Sequence, residues 1–283
     1  MRNQSHPLIS PEELAGRIGE AGLIVLDATF TLPNQGRNAR QEFEASHLPG
    51  ARFFDIDAIA DLDSSLPHML PSPQFFGEEV SKLGISNDSE VIVYDGNQFM
   101  ASARALWMFR VFGHDRVRVL DGGIYHWRQL GLPVTTKLPS IESGKFNAGF
   151  QPHLVKDFND IQTLSEQGTT QIVDARPEGR FLGAEPEPRP GLRSGHIPGS
   201  RNLFFKHLLD PETQRFLAPE RLESIYRDAG ILPDQPIVAT CGSGVTAAIL
   251  ALGLALLGHR DTPIYDGSWS EWGQPGSHPV AKG

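Results

Sequence analysis

The chain repeats itself once, and this repeat constrains the fold more than any other feature of the sequence. Four short motifs occur in the same order in both halves of the 283 residues. The matching pairs are residues 25–28 with 172–175, 47–51 with 196–200, 91–96 with 237–242, and 120–123 with 265–268. Ordered matches of this kind indicate a duplication of one structural unit. We therefore expect two similar domains, at residues 1–134 and 152–283, each of ordinary size.

Short β-branched apolar runs alternate with longer helical patterns in each half. The runs predict strands buried on both faces, at residues 24–27, 91–94, 118–120, 172–174, 237–240 and 262–265. Helices are predicted at residues 101–112 and 245–257, each followed by glycine. The alternation predicts the α/β class, with two domains that each hold a parallel β-sheet flanked by α-helices. Residues 135–151 have no periodicity and are predicted to form the linker.

Composition and charge exclude several classes of protein. The formal net charge of −9 argues against a nucleic-acid partner, whose phosphates need a basic surface. The longest apolar run, residues 245–257, is too short to span a bilayer, and residues 1–7 lack the apolar core of a signal peptide. The single cysteine allows no internal disulfide and no cysteine-based zinc site. We expect a cytoplasmic protein without a membrane partner.

That cysteine, Cys241, follows a predicted strand and precedes a predicted helix. Gly242 and Gly244 allow the intervening loop to curl, so that successive backbone N–H groups converge on one spot. The helix N-terminus adds partial positive charge, and a thiolate in such a place is stabilised and reactive. A free cysteine is more often a small buried apolar residue. Its position beyond the strand, among small residues, favours a nucleophile instead.

The loop resembles the active-site loop of the rhodanese superfamily, and the duplication resembles its tandem-domain sulfurtransferases. Asp95 holds the cysteine's place in the first half, where it cannot form a persulfide, so that half is expected to be catalytically silent. The sequence Cys-Gly-Ser-Gly-Val-Thr is similar to the branch that uses 3-mercaptopyruvate. Members that use thiosulfate carry cations after the cysteine, where this chain has Gly242 and Ser243.

The resemblance implies a set of substrate-binding residues. Arg180 and Arg189 lie in an insertion that the first half lacks, and the matching arginines of the family hold the substrate. Arginine suits a carboxylate because its planar fork donates two parallel hydrogen bonds. The plainer alternative is a solvated arginine paired with Glu185 or Glu187, and Arg193 is a weaker candidate. The remaining predicted substrate contacts come from the loop, at Gly242, Gly244, Val245 and Thr246.

The resemblance also implies a proton-transfer group made of Asp57, His68 and Ser243. In this arrangement Asp57 orients His68, and His68 bonds the hydroxyl of Ser243 near the substrate ketone. The sequence does not bring the three together, since they come from different halves. For His68 the alternative is a loop histidine that caps a turn.

Other repeated residues are interpreted as structural. His47 and His196 occupy paired His-x-Pro-Gly turns in both halves, one of which has no cysteine. Trp127 and Trp272 are expected in the two cores. Asp27 and Asp174 end matching strands and are expected to accept hydrogen bonds from loop amides.

The implied reaction moves sulfur from 3-mercaptopyruvate to Cys241, releases pyruvate, and passes the sulfur to a thiol or to cyanide. The acceptor is expected to be thioredoxin or a small thiol, in a monomer without metal or organic cofactor. Three alternatives remain. A thiosulfate sulfurtransferase shares the fold, and a cysteine-dependent phosphatase needs an arginine where this chain has Ala247. A non-catalytic binding or redox-sensing module is the third, although a sensor often needs a second cysteine.

Overall fold

A computed structural model describes residues 6–32, 35–96, 100–276 and 278–283, with only the backbone of Met100. Residues 1–5, on which much of the signal-peptide expectation rests, lie outside this range. The chain divides into two compact units. None of its described helices combines the length and the apolar character needed to cross a membrane.

Unit 1 is built on a five-stranded parallel sheet in the order β1-β5-β4-β2-β3. Its strands are β1 (Leu8–Ile9), β2 (Leu23–Asp27), β3 (Arg52–Phe53), β4 (Glu90–Tyr94) and β5 (Val117–Leu120). The central strand β4 is buried from Val91 to Tyr94, as expected for a strand covered on both faces. Asp95 is the first residue after the carboxyl end of this strand.

Unit 2 repeats this plan with a second five-stranded parallel sheet, in the order β6-β10-β9-β7-β8. Its strands are β6 (Val155–Lys156), β7 (Gln171–Asp174), β8 (Arg201–Asn202), β9 (Ile237–Thr240) and β10 (Ile264–Tyr265). The strand order is equivalent position by position to that of unit 1. The predicted α/β class with two parallel sheets is confirmed, and so is the internal repeat.

The described helices begin and end where the sequence supplies local signals. They are α1 (Pro11–Ala15), α2 (Ala39–Ala45), α3 (Pro73–Lys82), α4 (Met100–Val111), α5 (Gly123–Gln129), α6 (Phe158–Gln167), α7 (Glu178–Phe181), α8 (Pro219–Asp228), α9 (Ala247–Leu256) and α10 (Ser268–Trp272). The side chain of Ser72 accepts the N–H of Phe75 at the start of α3. Asp157 and Asp160 form a capping box on α6, which ends at Gly168 in the left-handed conformation.

The predicted long elements are present, with shifted ends. Helix α9 begins two residues later than predicted, at Ala247, because residues 241–246 form the loop. Strand β10 covers only Ile264–Tyr265, because the preceding Pro263 has no N–H to donate to a ladder. The two-residue strands β1, β3, β6 and β8 were not predicted, because two residues carry no measurable periodicity.

The two units exchange short segments along the sequence. Unit 1 comprises Met1–Leu62, Leu70–Gln151 and Asp210–Phe216, whereas unit 2 comprises Asp63–Met69, Pro152–Leu209 and Leu217–Gly283. In unit 1, Arg215 of the exchanged segment donates to the carboxylate of Asp121 at 2.8 Å. In unit 2, the exchanged segment carries His68. The compact units therefore differ from simple consecutive halves.

Residues 135–151, predicted as a linker, contain no helix or strand and belong to unit 1. Thr135 forms an isolated bridge with His47, and the N–H of Gln151 donates to the carbonyl of Val111 at 2.7 Å. Phe146 is buried against the rings of Phe76 and Phe109. This segment is thus attached to unit 1 at both ends and at Phe146.

The repeated histidines and tryptophans have equivalent structural roles in the two units. His47 Nδ1 lies 2.7 Å from the carbonyl of Phe43, and His196 Nδ1 lies 2.8 Å from the carbonyl of Phe181. Trp127 and Trp272 are buried, with indole N–H groups that donate to Pro133 and Pro279, respectively. The structural interpretation of all four residues is confirmed.

Candidate active site

Cys241 is the first residue after β9, which is buried from Ile237 to Thr240. Strand β9 lies between β7 and β10, so the loop that follows opens at the carboxyl edge of the sheet, where α/β proteins place their ligands. The cysteine residue is 2% exposed, and its neighbours on the loop are small or polar. It is therefore buried, and it lies just beyond the end of the strand.

Helix α10 holds the carbonyl groups of this loop. The N–H of Trp269 donates to the carbonyl of Cys241 at 2.9 Å, and the N–H of Ser270 donates to the carbonyl of Gly242 at 2.8 Å. The hydroxyl of Ser270 donates to the same Gly242 carbonyl at 2.6 Å. The loop is therefore fixed by a second element as well as by its own ends.

The glycines of the loop have different functions. Gly244 has a φ of +73°, a left-handed conformation that disfavours residues with a side chain. At Gly242 the constraint is space, because a Cβ atom there would lie 3.3 Å from Nη2 of Arg180, a tight contact. Gly242 therefore lets the guanidinium and the loop approach each other closely.

Several N–H groups of the loop are available to a ligand. Within the described residues, the backbone N–H groups of Gly242, Ser243, Val245 and Thr246 donate to no protein acceptor. They precede α9, whose N-terminus adds partial positive charge. Amides in this arrangement suit an anion, and the same site suits a thiolate.

Arg180 is held in place by a buried carboxylate. Its Nε and Nη2 atoms donate to one oxygen of Glu187, at 3.1 and 2.5 Å. The other oxygen of Glu187 accepts from Arg176 at 2.6 Å, and that guanidinium also bonds Asp174. The side chain of Glu187 is 2% exposed, whereas that of Arg180 is 20% exposed. Arg180 is thus paired with Glu187 and also borders the loop at Gly242.

Arg176 holds Glu187 in place and packs on Trp269 of α10. Its guanidinium lies 4.3 Å from the ring centre of Trp269, the residue that bonds the Cys241 carbonyl. Burial alone would lower the pKa of Arg176, but Asp174 and Glu187 outweigh burial and raise that pKa. Arg176 therefore stays charged and fixes Glu187. Asp174 also accepts the N–H of Arg176, and Asp27 accepts that of Thr29, so the predicted bonds from both aspartates to loop amides are confirmed.

Arg189, His68 and Ser243 meet in unit 2. Nη2 of Arg189 lies 3.3 Å from Nε2 of His68 and 3.5 Å from the hydroxyl of Ser243, the latter a long hydrogen bond. His68 belongs to the exchanged segment and has a φ of +61°, a conformation that is unusual for a residue with a side chain. Arg189 therefore bridges the histidine and the serine.

Asp57 is described with unit 1. It is exposed and follows β3, and its N–H donates to the carboxylate of Asp55 at 2.9 Å. Its predicted action on His68 stays a prediction. Arg193, the weaker substrate candidate, instead donates to the carbonyls of Trp272 and His278 at 2.9 Å each.

The position in unit 1 that is equivalent to Cys241 is occupied by Asp95, whose carboxylate already accepts a hydrogen bond. Asp95 is buried after β4, and its Oδ2 atom accepts the N–H of Ser102 at 2.8 Å. Aspartate has no sulfur to carry a persulfide, so unit 1 has no equivalent of the Cys241 thiol at this position. Among the residues that the structure describes, no group of three or more His, Cys, Asp or Glu side chains is arranged to hold a metal ion.

Three residues near the loop were missed as candidates: Arg176, Glu187 and Ser268. Glu187 was named only as a partner that would take Arg180 away from a substrate. In the structure Arg180 is paired with Glu187 and also lies beside the loop at Gly242. Two of these residues could have been found by comparing the repeats. Arg176 and Ser268 of the second half stand where the first half has Thr29 and Gly123, respectively.

We expect replacement of Glu187 by Gln to lower the free energy of unfolding by about 2 kcal/mol or more, because Arg176 loses one of its two buried carboxylate partners. Urea denaturation measures this change. Glu223→Gln is the matched control, because its ion pair with Arg227 is half exposed and contributes only ~0.5 kcal/mol. Equal effects of the two changes would show that Glu187 is not a buried anchor.

Comparisons with known proteins agree with this architecture. The profile of the rhodanese-like domain matches the chain twice, at residues 10–130 and 157–275. The chain is 44% identical over 260 residues to the 3-mercaptopyruvate sulfurtransferase of Homo sapiens, across 91% of this chain and 87% of that protein. It is 43% identical over 297 residues to thiosulfate/3-mercaptopyruvate sulfurtransferase 1, mitochondrial, of Arabidopsis thaliana, across 98% of this chain and 78% of that protein.

A solved structure is similar as well. The crystal structure of SseA from Escherichia coli, described as a 3-mercaptopyruvate sulfotransferase with the rhodanese fold, matches with a TM-score of 0.86 and 38% identity. The match covers 94% of this chain and 100% of that chain. The two matched domains correspond to the two sheets described above.

Proposed function

The chain belongs to the family of rhodanese-like domain proteins, and from that premise we propose that it is a sulfurtransferase in which Cys241 takes the sulfur of 3-mercaptopyruvate. One observation carries the proposal. The chain's single cysteine lies at the end of β9, on a loop with four N–H groups that no described protein group accepts. A sulfur anion bound there meets donors that are already oriented, as in sites that stabilise developing negative charge.

The first half-reaction loads the enzyme. The Cys241 thiolate attacks the thiol sulfur of 3-mercaptopyruvate, a sulfur–sulfur bond forms, and the carbon–sulfur bond breaks. The electron pair of that bond passes to the substrate carbon, which leaves as the enolate of pyruvate and is then protonated. Cys241 becomes a persulfide, and the loop amides stabilise its outer sulfur.

The second half-reaction unloads the enzyme. A thiol or cyanide attacks the outer sulfur, and the sulfur–sulfur bond breaks. The electron pair of that bond returns to Cys241 as its thiolate. A single cysteine suffices for this cycle. We propose thioredoxin or a small thiol as the acceptor, in a cytoplasmic monomer.

Arg180 and Arg189 are the proposed donors to the carboxylate and ketone of the substrate. Both guanidinium groups border the loop, Arg180 at Gly242 and Arg189 at Ser243. Arginine binds a carboxylate through two parallel N–H groups. Glu187 uses Nε and Nη2 of Arg180, so the Nη1 side of that guanidinium is the one proposed for the substrate.

Ser243 is the proposed carrier of the proton that converts the enolate into pyruvate. Its hydroxyl shares Nη2 of Arg189 with the imidazole of His68, so a change at His68 reaches the serine through that guanidinium. We propose that His68 acts with Ser243 and that Asp57 orients His68 during the reaction.

The donor preference tests the proposal against the thiosulfate alternative, which the name of the Arabidopsis relative also contains. We expect kcat/KM to be at least about tenfold higher for 3-mercaptopyruvate than for thiosulfate, because Gly242 and Ser243 supply no charged donor for a dianion. Steady-state kinetics with cyanide as acceptor measures both values.

Ser243→Lys is the informative variant for this test. It adds the missing cation and removes the proposed proton carrier, so turnover of thiosulfate should rise while that of 3-mercaptopyruvate falls. A wild-type protein that prefers thiosulfate would make the thiosulfate alternative correct. A protein that gains no sulfur atom in its intact mass with either donor would support a non-catalytic binding module.

A further inference from the structure

Ser268, the first residue of α10, has a backbone conformation that normally belongs to glycine. Its φ is +50°, and its counterpart in unit 1, Gly123, has a φ of +55°. Left-handed backbone disfavours any residue with a side chain, so glycine is the expected residue at both positions. Ser268 is nonetheless present in the unit that carries the cysteine, and it is fully buried.

The hydroxyl of Ser268 ties the catalytic loop together. It accepts the N–H of Cys241 at 3.2 Å and the N–H of Gly244 at 3.0 Å, and it donates to the carbonyl of Tyr265 at 2.7 Å. A hydroxyl has one proton to donate and two lone pairs, so these three contacts use its full capacity. The hydroxyl of Thr240 is a further, more distant donor at 3.4 Å.

The Ser268 hydroxyl and the backbone N–H groups of Trp269 and Ser270 together determine which way the loop amides point. The N–H groups of Cys241 and Gly244 point toward Ser268, while the carbonyls of Cys241 and Gly242 point toward Trp269 and Ser270. In a trans peptide the carbonyl and the following N–H point in opposite directions, and the described chain has no cis peptide. The N–H groups of Gly242 and Ser243 are therefore directed away from α10.

Unit 1 forms the same backbone contact without the hydroxyl. The N–H of Ile124 donates to the carbonyl of Asp95 at 3.1 Å, in the same way as Trp269 does to Cys241. A Cβ atom at Gly123 would collide with that Asp95 carbonyl, so unit 1 has no room for a serine there. The hydroxyl bridge thus occurs in the unit with a cysteine and is absent from this position of the unit without one.

We propose that Ser268 is a positioning residue, whose hydroxyl holds the Cys241–Gly244 loop so that its amides receive the transferred sulfur. This role rests on the proposed sulfurtransferase function for one point, namely that the ligand of the loop is a sulfur anion on Cys241. The hydroxyl of Ser268 acts on the backbone N–H groups of Cys241 and Gly244, whereas Arg180 and Arg189 are held by contacts with Glu187, His68 and Ser243.

The test uses Ser268→Gly in the full chain, because glycine accepts the left-handed backbone and removes only the hydroxymethyl group. We expect kcat to fall by about tenfold or more, with KM for 3-mercaptopyruvate within threefold of the wild-type value, because the N–H groups of Cys241 and Gly244 lose their acceptor and the loop amides can shift from the geometry on which charge stabilisation depends. The Cys241 persulfide, followed by intact mass after removal of the donor, should also decay several times faster.

Two further variants separate positioning from general loosening of α10. Ser270→Ala should have a smaller effect than Ser268→Gly, because the Gly242 carbonyl keeps the N–H of Ser270. Ser224→Ala, in a surface pair with Asp228 on α8, should leave kcat unchanged. Equal losses in Ser268→Gly and Ser270→Ala, or a rise in KM alone, would overturn the proposal.

A measurement without any sulfur donor keeps the two proposals distinguishable. Alkylation of Cys241 by iodoacetamide reports the reactivity of the thiol, and we expect it to slow severalfold in Ser268→Gly. An unchanged alkylation rate with unchanged turnover would reject the role of Ser268. A wild-type protein that loads no sulfur, but whose alkylation depends on Ser268, would reject the proposed function alone.

Discussion

Replacement of Cys241 by Ser is expected to abolish pyruvate release from 3-mercaptopyruvate, with a loss of at least about a thousandfold in kcat, the scale on which removal of a nucleophile acts. A serine oxygen cannot carry a persulfide, so the first half-reaction has no product. The substitution is nearly isosteric, and the free energy of unfolding should change little. Pyruvate production and the intact mass of the protein after incubation with donor measure the two effects.

The repeat provides a matched control for this experiment. Asp95 occupies the equivalent position in unit 1, and Asp95→Asn keeps an oxygen that can accept the N–H of Ser102. This variant should retain turnover, because unit 1 contributes no persulfide. If Cys241→Ser kept more than about one per cent of wild-type kcat, a nucleophile other than Cys241 would be required.

Removal of either substrate arginine is expected to act mainly on KM. Arg180→Ala and Arg189→Ala should each raise KM for 3-mercaptopyruvate by about 10- to 100-fold, because a hydrogen bond to a charged group is worth about 1.5–3 kcal/mol. Steady-state kinetics with cyanide as acceptor resolves KM from kcat. Arg189→Ala should also reduce kcat, since Arg189 contacts both His68 and Ser243.

Arg227→Ala is the control for these two variants. Arg227 pairs with Glu223 on α8, where both side chains are about half exposed. Its removal takes away one positive charge without touching the loop, so KM should stay at the wild-type value. If both Arg180→Ala and Arg189→Ala kept wild-type kinetics, neither arginine would belong to the substrate site.

The fold was predictable because its decisive signals are local and repeated. Strand β4 and strand β9 are continuous apolar runs buried on both faces, and such runs are visible in any window of the sequence. The edge strands have two residues each, and their pairing depends on neighbours that come from elsewhere in the chain. No pattern in Leu8–Ile9 distinguishes a strand from a loop.

The site was predictable in part. Cys241 lies where the strand–loop–helix pattern predicted it, because the position follows from the end of one strand. Glu187 and Ser268 were missed because their contacts depend on tertiary distances, with Ser268 lying 27 residues along the chain from Cys241. The difference between Ser268 and Gly123 becomes meaningful only when both backbones are known to be left-handed.

The exchange of segments between the units has an evolutionary consequence. Residues Asp63–Met69 are encoded with the first copy but belong to the compact body of the second, and the reverse holds for Asp210–Phe216. A deletion of the first copy would remove His68 together with the part that lacks a nucleophile. A shortened gene that encodes only the second half of the repeat would therefore produce a unit 2 that lacks one of its own segments.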